Sequence, residues 1–345
     1  MISRKKAKYN EHNSDPFEKL PDDLVISILS NLSFSSSSPS DYINVIIVCK
    51  RFNRLGLNQV VLSKACSRVF GLKVKKWCES AHRFLKLCVN AGSVEACYFL
   101  GMIRFYCLES RRSGASLMAK AAIKGHAPAL YSLAVIQFNG SGGAKSNKDL
   151  RSGIALCARA ACFGHVDAYR ELGHCLQDGY GVKQDIPAGR RLLIQANARE
   201  LTPFIPFSSD DTKTTSFKFS EKISSLIGSG CSALLSDFGC TVPAPEPHPA
   251  NRFLVDWYGL HGLGPGLRLC SHAWCGRPET RAHEFRRCSV CGTVNYCSRG
   301  CQAMDWKMRH KGECSRIGPG QWVDVGPEFG MVGGAPLDQH HQVVS

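Results

Sequence analysis

The sequence predicts a mainly α-helical chain in three parts: a short helical pair at the N-terminus, a solenoid of stacked helical repeats, and a small metal-stapled module towards the C-terminus. Three observations carry this prediction. Apolar residues recur at helical spacing between Leu24 and Leu55. A block with glycine, then alanine, then leucine four residues on recurs through residues 91–200. Eight potential metal ligands crowd into the stretch from Cys270 to Cys314. At 345 residues and 44% hydrophobic content, the chain has room for two or three domains and a real core.

Residues 1–15 are polar and are predicted to be a disordered basic tail, with Arg4, Lys5, Lys6 and Lys8 close together. Leu20-Pro21-Asp22-Asp23-Leu24 predicts a helix start, with proline at the first helical position and acids against the positive dipole end. Leu24, Val25, Ile28, Leu29 and Leu32 follow at helical spacing. The polar run from Ser33 to Ser40 reads as an inserted surface loop, which costs free energy only slowly with length. Asp41 opens a second helical pattern, with Val45, Val48, Cys49, Phe52 and Leu55 on one side.

Leu20-Pro21-Asp22-Asp23-Leu24, Ile28-Leu29, Leu32 and Val48-Cys49-Lys50-Arg51-Phe52-Asn53 together make residues 16–62 resemble the F-box. The resemblance implies a helical motif too small to bury all its apolar surface. Its exposed face would dock in a groove of a Skp-type adaptor and, through it, reach a cullin. Helix-in-groove docking needs apolar anchors. The resemblance gives that role to Leu20, Pro21, Leu24, Ile28, Leu29, Val48, Cys49 and Phe52.

Residues 63–90 read as connecting helices, with Trp77, Phe84, Leu85 and Leu87 packing the first motif onto the next domain. The repeat occupies residues 91–200. Gly92, Gly125 and Gly164 stand 33 and 39 residues apart, each followed by an alanine (Ala96, Ala129, Ala168) and then a leucine (Leu100, Leu133, Leu172). Small alanines let helices approach, glycine ends a helix with a positive φ, and the leucines fill the seam. One unit cannot bury its face alone, so units stack. Gly179-Tyr180-Gly181-Val182 and Asp185 complete a third unit, and Leu192 to Ala198 begins a fourth. The pattern resembles tetratricopeptide-like repeats of the Sel-like class, which implies a concave scaffold for peptides or proteins. His126 and His165 hold equivalent repeat positions and read as turn or capping residues rather than ligands. Residues 201–269 lose the pattern and read as a Ser/Pro-rich linker, stiffened by Pro243, Pro245, Pro247 and Pro249, with a short helix expected within 220–235.

The last informative stretch holds Cys270, Cys275, Cys288, Cys291, Cys297, Cys301, His310 and Cys314, spaced as C-x4-C, C-x2-C, C-x3-C and H-x3-C. Each short pair lets two side chains converge on one tetrahedral ion at about 2.3 Å per Zn–S bond, and four pairs make two ions. Between the pairs, Phe285, Val290, Val294, Tyr296, Met304 and Trp306 are too few for a core, so the metal is the staple. No ligand position is left open, which predicts structural rather than catalytic zinc. Cys288-Ser289-Val290-Cys291, Tyr296-Cys297-Ser298, and Asp305-Trp306 ahead of His310 make residues 270–314 resemble the MYND-type zinc finger. The resemblance implies interleaved sites: Cys270, Cys275, Cys297 and Cys301 on one zinc; Cys288, Cys291, His310 and Cys314 on the other. It also implies a groove for proline-containing peptides beside Gln302 and Trp306. The opening C-x4-C departs from the family's C-x2-C. That leaves His272 as an alternative to Cys270, with thiolate the better ligand for structural zinc. Residues 315–345 are glycine-rich and read as a disordered tail.

Of the 18 cysteines, the eleven outside metal spacing are scattered singly among apolar neighbours, as small buried hydrophobes in a reducing compartment. No secretory leader and no apolar run of membrane-spanning length stand out, so the expected location is intracellular, in nucleus or cytoplasm. The formal charge of +15 falls to about +12 once seven thiolates hold two zinc ions. A basic excess suits acidic partners. No element fitted to a nucleic-acid groove is evident, however, and nucleic acid is not the expected partner. No P-loop, nucleophile elbow or H-E-x-x-H motif is present, and the repeats leave no room for a methyltransferase domain beside the finger. The combination resembles a group of plant F-box proteins. The expected function is therefore that of a non-catalytic substrate-recognition subunit of an SCF-type (Skp-cullin-F-box) E3 ubiquitin ligase, binding its target through repeats, finger or both. The alternative is a transcriptional co-regulator or scaffold that uses the finger to bind peptides. A direct RING-type ligase fits less well, because His310 stands seventh in the ligand order and a RING places its histidine mid-series.

Overall fold

The computed structural model describes residues 17, 19–204, 233–239, 242–243 and 245–315. Apart from Ser315, the two expected tails lie outside these residues, as does most of the helix expected within 220–235. No described helix is long and apolar enough to cross a membrane.

Helix α1 (Asp22–Ser35) starts one residue later than expected, with Pro21 as its N-cap. Asp22 in its first turn pairs with Arg51 at 2.7 Å and Arg54 at 2.8 Å. Those hydrogen bonds, from Arg54 and then Arg51, hold its carboxyl below the usual range. The serine run is mostly not a loop. Ser33 to Ser35 continue α1, Ser30, Ser33 and Ser36 are buried, and only Ser36 to Ser38 separate α1 from α2 (Pro39–Ile46). A capping box between Ser38 and Asp41 starts α2.

The second helical pattern also divides. Helix α2 ends at Ile46, and α3 (Lys50–Gly56) begins after Cys49, whose sulfur accepts from the Phe52 amide. The break folds α2 against α3 so closely that a Cβ on Gly56 would clash with Ile46 Cγ2. Helix α4 (Gln59–Ser63) completes a small core with Val25, Leu29, Tyr42, Ile46 and Leu55. Helix α5 (Glu79–Asn90) bridges α4 to the repeats through Leu85, which is fully buried. Leu87 instead faces solvent, and Trp77 packs edge-on to Phe253, far along the chain, at 5.3 Å.

The repeats form three helical hairpins: α6 (Val94–Met102) with α7 (Arg111–Ile123), α8 (Ala127–Asn139) with α9 (Leu150–Cys162), and α10 (Val166–Asp178) with α11 (Ile186–Leu201). Gly92, Gly125 and Gly164 turn the chain between units with φ of +90°, +82° and +85°. The stretch from Leu192 to Ala198 lies inside α11. It therefore completes the third hairpin against α10 and does not begin a fourth unit. Close helix approach in the first hairpin also uses glycines, which spacing did not single out. A Cβ on Gly114 would lie 2.5 Å from the Phe105 amide nitrogen and 2.7 Å from the Gly101 carbonyl oxygen. Gly114→Ala is expected to destabilise the chain by about 2 kcal/mol, because backbone must move, lowering Tm by about 4–8 °C. Calorimetry against Gly259→Ala, whose new methyl would meet nothing within 4 Å, is the check.

Inside the expected linker lies a helix, α12 (Pro249–His261). His248 caps it, Pro249 stands in its first turn, and Gly262 follows its end. Ala250, Phe253 and Leu254 are buried against α6 and the π-helical turn Ile103–Cys107. The start, stop and apolar spacing of α12 are all legible in the sequence, but the proline run around them points to extended chain.

Candidate functional site

The zinc module is built on a two-residue hairpin, β1 (Arg286–Arg287) against β2 (Asn295–Tyr296), antiparallel, with Arg286 opposite Tyr296. Helix α13 (Arg299–Asp305) follows, capped by Ser298, whose Oγ accepts from the Cys301 amide at 3.1 Å. The cap sets Cys297 and Cys301 on one side. A π-helical turn, Trp306–His310, then carries His310 inward.

Two groups of side chains converge here. Cys270, Cys275, Cys297 and Cys301 form one; Cys288, Cys291, His310 and Cys314 form the other. In each group the ligand atoms lie within 4.8 Å of one another. The Cys275–Cys297 and Cys297–Cys301 sulfurs are 3.6 Å apart, and those of Cys288 and Cys314 are 3.9 Å apart. Cys291 Sγ stands 3.5 Å from His310 Nε2. Bonds of about 2.3 Å in a tetrahedron place sulfurs about 3.8 Å apart, whereas a disulfide needs about 2.05 Å. The donor sets therefore fit two structural zinc ions. The groups are interleaved, and Cys270 rather than His272 completes the first.

The module is not a bead on a linker. Arg277, buried beside Cys275, donates to Cys275 Sγ at 3.5 Å and to Ser132 Oγ in α8 at 2.8 Å. Asn139 donates to the Cys297 carbonyl and Asn251 of α12 to the Cys275 carbonyl, each at 2.8 Å. Glu171 of α10 accepts from the Arg299 amide at 2.7 Å, and Lys307 pairs with Glu200 of α11 at 3.0 Å. Arg281 binds the carbonyls at the end of α8. Four of the module's basic residues, Arg277, Arg281, Arg299 and Lys307, thus dock it on the repeats. A tetrathiolate zinc carries a net −2, and Arg277 supplies the nearest compensating charge. Elsewhere, burial pushes the Cys88 and Cys175 thiols up to about 12, as inert packing cysteines require.

Glu95, His126 and His248 form a third cluster within 4.8 Å. His126 Nε2 lies 3.2 Å from Glu95 Oε1, and His248 Nε2 lies 3.3 Å from Oε2. Both Nδ1 atoms accept backbone N–H groups as helix caps, from Ala129 at 3.2 Å and Ala250 at 3.1 Å. The Nε2 atoms therefore carry the protons and donate to the carboxylate, which leaves neither imidazole a lone pair for a metal. The cluster clamps α12 to the repeats, and His126 is a cap as expected. His165 stands at its own N-cap position without a capping bond and stacks on Tyr131 at 4.5 Å.

Burial alone would raise the Glu95 pKa, but hydrogen bonds from His126 and His248 outweigh it and bring it down to about 2. A folded pKa below the ordinary 4.5 stabilises the fold fully above pH 4.5, and the gain is lost as pH falls towards 2. Glu95→Gln is expected to cost about 2 kcal/mol at neutral pH. The Tm gap from the natural chain should close across that acid window, as thermal melts at stepped pH would show.

At the N-terminal motif, Leu24, Ile28 and Val48 are 48%, 46% and 70% exposed, and Pro21 and Cys49 are also exposed. Leu20 and Phe52 are half-buried. Leu29 differs from expectation: at 2% exposure it fills the motif's own core and cannot reach a partner, because its turn of α1 faces Tyr42 and Leu55. Phe34, Ile47 and Val60 are exposed apolar residues that sequence reasoning missed. Helical periodicity alone did not show which face the core would take. Gln302 and Trp306 are half-buried on α13 and the turn after it, with the Phe238 ring 5.4 Å from Trp306. A cavity of about 510 Å³ opens between repeats and zinc module, lined by Tyr98, Tyr131, Arg199, Pro243, Trp274 and Lys307 among others.

These features define a class: a helical-repeat scaffold with an integral two-zinc finger and a helical motif presenting apolar anchors. Family models match the F-box domain at residues 17–64, plant tetratrico peptide repeats at 70–154 and the MYND finger at 270–314. F-box protein At1g67340 of Arabidopsis thaliana is 60% identical, over 92% of this chain and 84% of its own. F-box protein At5g50450 of the same plant is 56% identical, over 99% and 98%. A solved Sel1 repeat protein from Oxalobacter formigenes overlies 51% of this chain and 68% of its own, with a TM-score of 0.40 and 19% identity. The chain belongs to the family of these F-box proteins.

Proposed function

We propose that the chain is the substrate-recognition subunit of an SCF-type E3 ubiquitin ligase. The observation that carries this reading is the set of exposed anchors, Leu24, Ile28 and Val48, on an F-box whose own core is already filled. Leu24 and Ile28 stand one helical turn apart on α1, and an exposed apolar patch of this kind marks an interaction site. In this reading Leu20, Pro21, Leu24, Ile28, Val48, Cys49 and Phe52 meet a Skp-type adaptor, which links the chain to a cullin. The eight residues of the two cysteine-rich groups hold structural zinc. Gln302 and Trp306, with the neighbouring cavity, hold a peptide of the target. The chain performs no bond chemistry. It raises the concentration of target near the ubiquitin-carrying enzyme, and α5 keeps hook and scaffold at a set distance.

Affinity purification followed by mass spectrometry tests the reading, comparing the full chain with one lacking residues 17–64. Adaptor and cullin should be enriched only with the full chain, while candidate targets are enriched with both. A full chain that enriches neither adaptor nor cullin would overturn it.

A further inference from the structure

Residues 233–239 lie across the junction between α11 and the zinc module. Asn197 of α11 is fully buried, and its Nδ2 donates to the Leu234 carbonyl at 2.9 Å and to the Ser236 carbonyl at 2.8 Å. Arg170 orients that amide by donating to Asn197 Oδ1 at 3.1 Å. His174 Nε2 lies 3.2 Å from the Asp237 carbonyl. Two residues beyond Ser236, the Phe238 ring lies 5.4 Å from Trp306, tilted by 32°. Yet no side chain from 234 to 239 is buried, and Leu235 and Phe238 are 68% and 37% exposed.

Core segments are held by apolar burial. Among the described residues, this one is held by its carbonyls on a buried amide and on His174, and by one aromatic ring, which is how a scaffold holds a peptide ligand. Little apolar burial also makes local opening cheap. The charges around the cleft are paired with each other, Arg170 and Lys307 both with Glu200, so they favour a neutral backbone and a ring over an ionic ligand.

We propose that Asn197, His174 and Trp306 form a peptide-docking cleft that the chain closes in cis with residues 233–239. A target peptide displaces the segment by presenting two carbonyls two residues apart and an aromatic residue two further on. This deepens the reading of Trp306 as a peptide contact and does not depend on the adaptor.

The probe is a synthetic peptide of residues 233–239, Ala-Leu-Leu-Ser-Asp-Phe-Gly, followed by saturation-transfer NMR at its phenylalanine ring. The receptor is the zinc-loaded full chain with those seven positions replaced by glycine and serine. Clear transfer is expected there, and transfer weaker by about five-fold or more with the natural chain, whose tethered segment competes at high effective concentration. Trp306→Ala in the opened chain, and separately the Phe238→Ala peptide, should each abolish transfer. The opened chain should keep its zinc and its thermal midpoint. Absent transfer, equal transfer to both chains, loss of zinc on opening, or a natural chain that dimerises by exchanging the segment would each overturn the proposal. Adaptor capture by the opened chain reads the proposed function separately, so the two can fail independently.

Discussion

Replacing Leu24 and Ile28 together by aspartate is expected to abolish capture of a Skp-type adaptor while leaving zinc content and helix content unchanged. Both residues lie on one face of α1, four apart and about half exposed, so charges there meet water in the free chain. In a docked complex the same charges would be desolvated without partners. Central interface anchors of this kind are typically worth about 2–4 kcal/mol each. Losing both should weaken binding by a factor of about a thousand or more, at 1.4 kcal/mol per tenfold. The neighbouring change Leu29→Asp is the contrasting control. Leu29 and Val25 fill the core, so a charge there should unfold the motif and lower its helical circular dichroism. Adaptor pull-down, metal analysis and circular dichroism on the three proteins separate contact from folding. Undiminished capture by the Leu24→Asp, Ile28→Asp chain would refute the docking face.

Cys275→Ser is expected to remove one of two zinc ions and also to lower the Tm of the repeats, whereas Cys314→Ser should remove the other ion and leave the repeats nearly unchanged. The asymmetry follows from where the two groups sit. All four ligands of the first are buried at the docking surface, where Cys275 and Cys297 receive bonds from Arg277, Asn251 and Asn139. The described bonds of Cys288, Cys291 and Cys314 stay within the module, and Cys314 is only half-buried. Structural zinc contributes about 10–16 kcal/mol to folding such a module. Without the first ion the buried Arg277 faces thiols rather than thiolates, and an uncompensated buried charge costs about 3–5 kcal/mol. Metal analysis by mass spectrometry and calorimetry on both variants give the comparison. Equal shifts in Tm would mean that the module and repeats are energetically independent.

Much of this protein was legible residue by residue. The metal ligands could be read because convergence of paired cysteines needs only local spacing, and the interleaved groups contain the eight expected residues. The turns at Gly92, Gly125 and Gly164 could be read because a positive φ is a demand on one residue. Elements whose outlines depend on packing were misplaced. Ser33 to Ser35 look like loop by composition but complete a helix, because the Ser33 carbonyl accepts from the Cys66 amide across the motif. The stretch from Leu192 to Ala198 looks like a new repeat, yet it is the partner of α10, since only the fold shows which helix closes a hairpin. Leu29 and Leu24 have the same helical periodicity but opposite fates, because periodicity defines a stripe without saying what lies against it.

By itself, the sequence determined the three kinds of module, the donor atoms for two metal ions, and the greasy N-terminal helix. Each of these is set by residue type at short range, through bond lengths, helical repeat and turn geometry. Tertiary packing decided that the finger is fused to the repeats, that α12 rather than a plain linker leads into it, and that the Phe238 ring packs against Trp306. Those outcomes rest on pairs far apart in the chain, such as Asn139 with Cys297 and Glu95 with His248. Whether such buried polar groups find partners depends on how whole surfaces meet, and no local pattern records that.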